Sequence, residues 1–424
     1  MNNITEILEL LGIPSSSVHC FETEIDKTTG ISNIYIELFD IKGICPRCKS
    51  RDIGIKDYYD VRIKNSVTNL GKIYVHIRMR RYVCKTCGKT FKQSFDFYTK
   101  RKSISITVRQ AILEDLKQPL TYLQIARKYD VSSTFVIDLF DSLNEPRRFP
   151  LTPVICIDEF HFAGNPSGLK YPCVITEPYT GTILDVIKTR RKDWLFEYFS
   201  QIPEKERSQV RYFITDMYEV YRTCRKRFFP NAIHVVDRFH IAKLFTEAIQ
   251  SVRKTIMNKN EYKSKEYLFL KKNWKLFVMN RARLKELKYT DKYGVVYDYV
   301  GDVDLVLRKY PELNQVYQTR NEFFSRCHTM LWNEAKRHVD FYITSLKYSP
   351  ILELQKISKT LQNWEYEVTN AFARSSERGN LSNAIAEATN NVIQTYSDIG
   401  YGFKNYSRFR KRILYMNRNK TKND

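Results

Sequence analysis

Short apolar runs that end in an aspartate place the strongest constraint on how this chain folds. Val154–Ile157 leads directly into Asp158, and Val210–Thr215 leads into Asp216. Helical patterns alternate with such runs, which is typical of an α/β sheet with buried parallel strands. The carboxyl ends of those strands meet at one edge of the sheet, where α/β proteins form their sites. We therefore expect the two aspartates to lie close together.

The neighbouring segments complete this α/β pattern. Residues 169–190 predict a β-hairpin, because the turn residues EPYTG separate two apolar runs. Lys192–Ser200 and Tyr218–Phe229 have helical spacing. A further strand is expected over Ala232–Val236, ending at Asp237, and it is followed by a helical segment that begins HIAKLF.

The chain is strongly basic. It has 70 Lys and Arg residues against 47 Asp and Glu residues, a formal net charge of +23. Nucleic acid is the usual partner of such a protein, because basic side chains that neutralise phosphates release counterions. A basic composition that serves solubility or a membrane surface is the alternative. The first residues lack a signal-peptide pattern, and no apolar run approaches the roughly 20 residues of a membrane span, so we expect a cytoplasmic protein without a membrane partner.

Two CxxC pairs predict a structural zinc site of the zinc-ribbon type. Cys45 and Cys48 form the first pair, and Cys84 and Cys87 form the second. Each pair makes a tight turn that directs two thiolates at one ion, and two pairs supply the four sulfurs of a tetrahedral site. An extended hairpin is expected between the pairs, and two redox pairs are the alternative to zinc. The basic residues of this region that we expect to contact a DNA backbone are Arg78, Arg80 and Arg81.

The segment 101–146 predicts three helices in a helix-turn-helix arrangement. The second helix is expected over Thr121–Tyr129, and Ser132 can cap the third. Apolar residues repeat at helical spacing along one side of the third helix and favour a core face there. The outward side, which would enter the major groove, is formed by Ser133, Thr134 and Ile137. An ordinary three-helix bundle is the alternative.

Three carboxylates are candidates for binding divalent metal. Asp158 and Asp216 end buried runs, and Glu387 lies in the helical segment SNAIAEATNNVIQ. Two hard cations about 3.5–4 Å apart need several shared oxygen ligands, which carboxylates supply. Each acid also has an ordinary interpretation: a strand-end cap for Asp158, with Glu159 as a rival for its role, a helix N-cap for Asp216, and a solvated position for Glu387. Their joint context favours the metal site.

A series of motifs extends over nearly the whole chain. In order they are CPRC…YVCKTCGKTF, the predicted helix-turn-helix, IDEF, TRRKDWLFEYF, ITDMYEVYR, FPNAIHVVDRFHIAK and SNAIAEATNNVI…YGFKNYSRFRKRI. Together they resemble the bacterial insertion-sequence transposases of the ISL-three family. VVDRFH and EATNN…GF are the most specific of these motifs.

This resemblance implies an RNase H-like catalytic core of the DDE type. Asp158, Asp216 and Glu387 then correspond to its three metal-binding acids. They would hold two Mg²⁺ ions, for which Mn²⁺ can substitute. Asp237 and His240 match the DxxH element that follows the second aspartate in many such transposases, and we expect them to support the site without binding the metal.

The function that the resemblance implies is DNA transposition on the bacterial nucleoid. Such an enzyme binds the terminal inverted repeats of an insertion sequence on double-stranded DNA, cleaves at the ends and joins the exposed 3′-hydroxyls to target DNA. Because two ends must be held together, we expect a homodimer or a larger assembly. A catalytically silent DNA-binding regulator derived from a transposase and an RNase H-like nuclease are the alternatives. A covalent serine or tyrosine recombinase is disfavoured, because no tyrosine stands in a recognisable Arg and His constellation.

The expected fold class is a multidomain combination of α+β and α/β. The expected domains are residues 1–100 with the zinc ribbon, 101–146 with the helix-turn-helix, 151–255 with the first part of the RNase H-like core, 256–370 with a helical insertion, and 371–424 with the last core helix and a basic tail. Trp274, Trp332 and Trp364 of the insertion are expected in the core.

Overall fold

The computed structural model divides into two compact units. Unit 1 contains residues 1–146, 398–401 and 411–422, and unit 2 contains residues 147–397, 402–410 and 423–424. The residues that the structure describes are 2–40, 43–65, 72–98, 103–162, 171–279, 281–327, 329–374, 393 and 405–417. Within this part of the chain, no helix is long and apolar enough to cross a membrane.

Unit 1 begins with a helix and a five-stranded sheet. Its elements are α1 (Asn2–Leu10), a 3₁₀ turn (Ser15–Ser17), β1 (Val18–Asp26), β2 (Ile31–Leu38), β3 (Ile53–Lys64), β4 (Lys72–Cys84) and β5 (Thr90–Lys92). β1 pairs antiparallel with β2, β2 pairs parallel with β4, and β4 pairs antiparallel with β3 and β5. β3 and β4 form the extended hairpin predicted between the two CxxC pairs.

One face of this sheet forms the core of the unit 1 sheet region. Side chains alternate between the two faces of a strand, so every second residue of β2 and β4 faces inward. Ile34, Ile36, Val75 and Ile77 are buried in this way and pack together with Leu8 of α1. The apolar alternation of the sequence therefore fixes which face of the hairpin is exposed.

Three further helices of unit 1 lie where the sequence predicts them. They are α2 (Ile106–Asp115), α3 (Tyr122–Lys128) and α4 (Ser133–Asp141). Thr121 caps α3 by accepting a hydrogen bond from the backbone N–H of Gln124 at 3.0 Å. The predicted cap at Ser132 is confirmed, because its hydroxyl oxygen accepts from the N–H of Phe135 at 3.1 Å.

The turn between α3 and α4 is tied to one end of the β3–β4 hairpin. It passes through Asp130, whose φ of 49° lies in the left-handed region. The Asp130 carboxylate lies 2.8 Å from Nζ of Lys64 and 3.1 Å from Nζ of Lys72. Lys64 also donates a hydrogen bond to the backbone carbonyl of Asp130. Because Lys64 ends β3 and Lys72 begins β4, these contacts hold the α3–α4 turn against the sheet.

The last described helix, α16 (Tyr406–Asn417), contributes buried cations to unit 1. Lys411 and Arg412 are 6% and 3% exposed. Their hydrogen-bond acceptors are carbonyl oxygens at the end of α4 and in the connection between α2 and α3, those of Asp141, Leu143, Gln118 and Leu120. Carbonyls at helix ends and in connections lack partners inside a helix, and these two cations bond to them. This part of the basic tail therefore stabilises unit 1.

Unit 2 contains a mixed five-stranded sheet. Its elements are β6 (Val154–Glu159), β7 (Cys173–Glu177), β8 (Thr182–Ile187), α5 (Lys192–Ser200), α6 (Glu204–Arg207), β9 (Tyr212–Thr215), α7 (Glu219–Phe228), β10 (Ile233–Val236) and α8 (Arg238–Lys259). The strand order is β10-β9-β6-β7-β8, with β10, β9 and β6 parallel and with β7 and β8 antiparallel. The predicted strands and helices of residues 151–255 are confirmed.

The two faces of this sheet pack in separate cores. Ile155 and Ile157 of β6 face a core that includes residues of α5 and α7. Val154 and Cys156 face a second core that includes α8 and the helices after it. Both faces are therefore covered, which explains why the parallel strands are continuous apolar runs in the sequence.

The segment predicted as a helical insertion, 256–370, is largely helical. Its elements are α9 (Lys265–Lys272), a 3₁₀ segment (Trp274–Val278), α10 (Arg281–Glu286), β11 (Lys288–Thr290), β12 (Val296–Asp298), α11 (Tyr299–Lys309), α12 (Pro311–Ser325), α13 (Trp332–Lys347), α14 (Leu352–Asn363) and α15 (Glu365–Phe372). Trp364 is buried as expected, but Trp274 and Trp332 are 41% and 40% exposed, so the core prediction is wrong for those two. Trp332 begins α13 and its indole N–H donates to Asn370 at 2.8 Å, which holds the ring at the surface.

A buried ion pair joins α15 to the sheet layer of unit 2. Nε of Arg222 lies 2.9 Å from Oε1 of Glu367, and Nδ1 of His234 lies 3.5 Å from the same oxygen. The guanidinium of Arg222 also stacks on Trp364, 3.7 Å from the ring centre. Burial opposes ionisation of Glu367, but His234 and Arg222 outweigh it and lower the pKa of Glu367 to about 2. The ionised carboxylate is therefore part of the folded state.

We expect Glu367→Gln to lower the free energy of unfolding at pH 7 by roughly 2–4 kcal/mol, because Arg222 and His234 lose their buried ionised partner. Of the described carboxylates, Arg222 then keeps only the exposed one of Glu219. Chemical denaturation measures this change. The lowered pKa of Glu367 determines how its contribution to the stability of the wild type depends on pH. The contribution of Glu367 is present above its unfolded-state pKa of about 4.5 and is lost as the pH falls towards about 2.

Glu365→Gln is the matched control, because Glu365 lies on the same helix but pairs with Lys336 at the surface. We expect this variant to change the free energy of unfolding by less than about 1 kcal/mol. Equal losses in the two variants would contradict a special role for the Glu367 ion pair.

Candidate active site and metal centre

Backbone register sets three aspartates in one row at the carboxyl edge of the unit 2 sheet. β6 and β9 are parallel, with Cys156 level with Ile214, and β10 pairs parallel on the other side of β9. Continued to the strand ends, these registers place Asp158, Asp216 and Asp237 side by side. Neighbouring strands lie about 4.8 Å apart. The structure therefore brings Asp158 and Asp216 together, as the strand pattern predicts.

Asp158 and Asp216 lie on one face of the sheet, and Glu159 lies on the other. The residues two positions before each aspartate pack in the core that includes α8, and side chains two apart share a face. Glu159 instead accepts a hydrogen bond from the hydroxyl of Tyr221, on α7, at 2.9 Å. The sequence left Glu159 as a rival of Asp158, and the geometry separates the two by face.

Asp216 is a half-buried carboxylate in an acidic environment. Burial raises the pKa of Asp216, and Asp158 raises it further, while His240 and Arg190 act in the opposite direction. Its Oδ1 is buried and has no hydrogen-bond partner among the described residues. Nor does Asp216 cap α7, since the residue at that position is Tyr218. A divalent cation would satisfy the Oδ1 atom and relieve the repulsion between the carboxylates, so these residues fit a metal.

Asp237 and His240 form a pair at the start of α8. Asp237 caps the helix by accepting from the N–H of Phe239 at 2.8 Å, and its other carboxylate oxygen lies 3.2 Å from Nδ1 of His240. Burial opposes protonation of His240, but Asp237, Asp158 and Asp216 outweigh it and raise the pKa of His240. The acidic surroundings therefore favour the protonated form of the imidazole beside the row.

The third acid predicted from the sequence, Glu387, lies outside the described residues. Among the residues that the structure describes, the aspartate row does not bring three ligand atoms within reach of one ion. Hard divalent cations take six or more oxygen ligands, some of them from water or substrate. Asp158 and Asp216 thus supply part of a ligand set, and further ligands must come from elsewhere.

Sequence reasoning missed one residue beside the row, Arg190. Its Nη1 donates to the carboxylate of Glu159 at 2.6 Å. In the sequence, Arg190 is one of several cations in the basic motif TRRKDW, and Glu159 is a rival for the role of Asp158. No feature of the sequence selects Arg190 from the other cations of this motif.

The four cysteines of the predicted zinc ribbon converge in unit 1. Their sulfur atoms all lie within 4.8 Å of one another, with Cys45 3.7 Å from Cys87 and Cys48 3.5 Å from Cys84. Each pair spans a tight turn; in the second, the N–H of Gly88 donates to the carbonyl of Cys84 at 2.9 Å. The N–H of Cys87 lowers the pKa of the Cys84 thiol to about 6, which favours the metal-binding thiolate. This donor set supports zinc binding.

Replacement of one cysteine tests this centre. We expect Cys84→Ser to reduce bound zinc from about one ion per chain to a small fraction of that, and to lower the melting temperature of unit 1, because three thiolates bind a structural zinc poorly. Elemental analysis of the purified protein measures the metal. Cys20→Ser, at an exposed cysteine outside the cluster, is the control and should retain zinc. Unchanged zinc content in Cys84→Ser would contradict the assignment.

The residues predicted to face DNA on α4 are not covered by its core face. Thr134 is exposed, and Ser133 and Ile137 are half-buried. The buried side chains of the helix are Phe135, Val136, Leu139 and Phe140. The outward side of α4 therefore begins with its first turn, where a groove-reading helix makes its base contacts.

The three arginines predicted to contact DNA in the hairpin differ in exposure. Arg78 is exposed, and Arg81 is half-buried and lies 3.2 Å from Asp57. Arg80 is only 6% exposed. Its guanidinium donates to the carbonyl of Leu38 and to Glu37, the latter at 2.9 Å. Arg80 thus stabilises the β2–β4 pairing and lacks the exposure that a backbone contact with DNA requires.

Fold and site together define a mixed α and β protein with a cysteine centre and an acidic strand edge. A family model for DDE transposases of the ISL-three type, described as a transposase, matches residues 155–413. The match covers more than half of the chain, and the chain therefore belongs to this transposase family. A search of curated proteins finds no match.

Proposed function

We propose that the protein binds the terminal inverted repeats of an insertion sequence and catalyses metal-dependent cleavage and strand transfer of DNA. The observation that carries this proposal is the row of Asp158, Asp216 and Asp237 across three parallel strands, inside the segment that matches the transposase family. Acids in adjacent positions at the carboxyl edge of a sheet suit phosphoryl transfer, which depends on shared oxygen ligands.

Asp158 and Asp216 would hold Mg²⁺ together with Glu387, and Mn²⁺ could substitute. When bound, two such ions activate the attacking oxygen and stabilise the leaving oxygen of an in-line displacement. Asp237 fixes the start of α8 through the N–H of Phe239 and orients His240. The acidic surroundings favour protonation of His240, and a protonated imidazole would lower the mutual repulsion of the acids before DNA binds.

Unit 1 would provide sequence recognition. The first turn of α4 would enter the major groove, and the tetracysteine region, holding a structural zinc ion, would place Arg78 and neighbouring cations on the phosphate backbone. The domain layout predicted from the sequence, with a helical insertion between the parts of an RNase H-like core, belongs to the same proposal. Because two transposon ends must be joined, the active form would be a homodimer or a larger assembly on DNA.

The acidic row is tested by neutral substitution. We expect Asp158→Asn and Asp216→Asn each to abolish cleavage of DNA carrying the element's own inverted repeats, because the amide removes the charge that a divalent cation requires. DNA binding should be largely retained, since binding is mostly electrostatic and is supplied elsewhere. Gel assays of cleavage and strand transfer in Mg²⁺ or Mn²⁺ measure both steps.

Asp193→Asn is the matched control. Asp193 is exposed on α5, and its substitution removes the same charge from a residue that is not part of the row. It should cleave at the wild-type rate. Full cleavage by either row variant would refute the site. Specific binding without cleavage by the wild type would favour a catalytically silent regulator, and cleavage without joining would favour a nuclease.

Recognition by α4 has a separate test. We expect Thr134→Ala to reduce the preference for the inverted repeat over random DNA by roughly tenfold, which is the usual effect of losing one base contact. Competition binding at fixed salt measures this ratio. Thr23→Ala, at an exposed position of β1, should leave the ratio unchanged. An unchanged ratio in Thr134→Ala would remove this residue from the interface.

A further inference from the structure

Arg190 lies in the connection between β8 and α5, next to the acidic row. Its backbone N–H donates to the carbonyl of Tyr171 at 3.0 Å, which pins the connection to the start of the hairpin. The guanidinium lies 4.9 Å from the ring centre of Tyr171 and 4.8 Å from that of Tyr218. Two aromatic rings at these distances attract a cation and restrict its movement. The position of Arg190 is therefore fixed by three separate contacts of its surroundings.

Arg190 forms an ion pair with Glu159, which is itself held by a hydrogen bond. Nη1 donates to Oε2 of Glu159 at 2.6 Å, and the hydroxyl of Tyr221 donates to the other oxygen of Glu159 at 2.9 Å. The Glu159 side chain is 13% exposed, whereas that of Arg190 is 35% exposed. Glu159 is thus the interior half of the pair, and Arg190 is the half that reaches solvent.

Most of the Arg190 guanidinium makes no hydrogen bond to the part of the chain that the structure describes. An arginine has five N–H donors in a planar fork, and Nη1 is the one guanidinium nitrogen of Arg190 that bonds to a described residue. Arg80 of unit 1 shows the contrast, because it is 6% exposed and both of its terminal guanidinium nitrogens bond to residues of β2. The planar fork matches two oxygens of a phosphate, and pre-organisation reduces the entropy lost on binding.

The sequence neighbours of these contacts place Arg190 close to the reacting groups. Glu159 directly follows Asp158, and Tyr218 follows Asp216 by two residues. Burial raises the pKa of both Asp216 and Glu159, and the positive charge of Arg190 is close enough to oppose that rise in each. Arg190 therefore lies at the same edge of the sheet as the two aspartates, within electrostatic range of Asp216.

We propose that Arg190, held by Glu159 and by the rings of Tyr171 and Tyr218, is a phosphate-binding residue that clamps a phosphodiester of the DNA strand next to the one being cleaved. This inference rests on the proposed function and adds a contact to it. Arg190 contributes no atom to the bond that breaks. It fixes the strand, so that the reacting phosphate meets Asp158 and Asp216 in one position.

The test combines substitutions in the protein with neutralised phosphates in the DNA and asks whether their effects on the cleavage rate are additive. The substrates are duplexes with the element's end, in which one phosphate at a time, on either side of the cleaved bond, is replaced by a neutral methylphosphonate. The proteins are the full-length wild type, Arg190→Gln, Arg190→Lys and Arg191→Gln, with Mg²⁺ and single-turnover conditions. Arg191→Gln removes the same charge at the next, exposed residue and is the matched control.

We expect Arg190→Gln to slow cleavage of unmodified DNA by roughly tenfold or more, the usual cost of a charge-assisted hydrogen bond. One methylphosphonate position should slow the wild type and Arg191→Gln by a similar factor but leave Arg190→Gln no slower. Arg190→Lys should keep part of the rate, since it keeps the charge without the fork. Thermal unfolding should show that all variants fold, because glutamine can still donate to Glu159.

Two results would overturn the inference alone: wild-type cleavage rates in Arg190→Gln, or a defect that adds to that of every methylphosphonate position. Additive defects with a lowered melting temperature would identify Arg190 as a structural partner of Glu159. If Arg190→Gln does not fold, the same comparison with Arg190→Lys decides. Absence of cleavage by the wild type on unmodified DNA would instead refute the proposed function.

Discussion

The parallel pairing of β6, β9 and β10 is the constraint on which the candidate active site depends. Hydrogen bonds between these strands fix their register, and the register determines that Asp158, Asp216 and Asp237 share a row. A slip of one residue in β9 would turn Asp216 towards the opposite core. Burial of both faces of the sheet resists such a slip, because each strand has apolar residues committed to two cores.

Local patterns in the sequence were sufficient for much of the fold. The helix at Lys192–Ser200 has the predicted bounds, and the cap at Ser132 follows from its hydroxyl and from the apolar spacing after it. The CxxC pairs indicated a cluster without any knowledge of the strands between them. The helix and its cap depend on interactions between residues a few positions apart. The cysteines could be grouped because four thiolates are a common ligand set for one zinc ion.

Interactions between segments that are distant in the sequence could not be predicted from local patterns. Arg80 is buried because the carbonyl of Leu38 and the carboxylate of Glu37 meet it across β2. Arg222 meets Glu367, 145 residues further on, and no local pattern marks either residue. The same applies to the pairing of Glu159 with Arg190, which separates one acid of the motif IDEF from the other. The sequence alone offered Asp158 and Glu159 as equals, and topology distinguishes them.

The β3–β4 hairpin connects the turn before α4 with the tetracysteine cluster of unit 1. One end of β4 is Lys72, which holds Asp130 in the turn before α4, and the other end is Cys84 of the tetracysteine cluster. β4 has 13 residues and spans about 40 Å at the usual rise per residue of a strand. That is slightly more than one turn of duplex DNA, about 12 base pairs. If unit 1 binds DNA as proposed, contacts made at the two ends of this strand would fall on nearly the same side of the double helix.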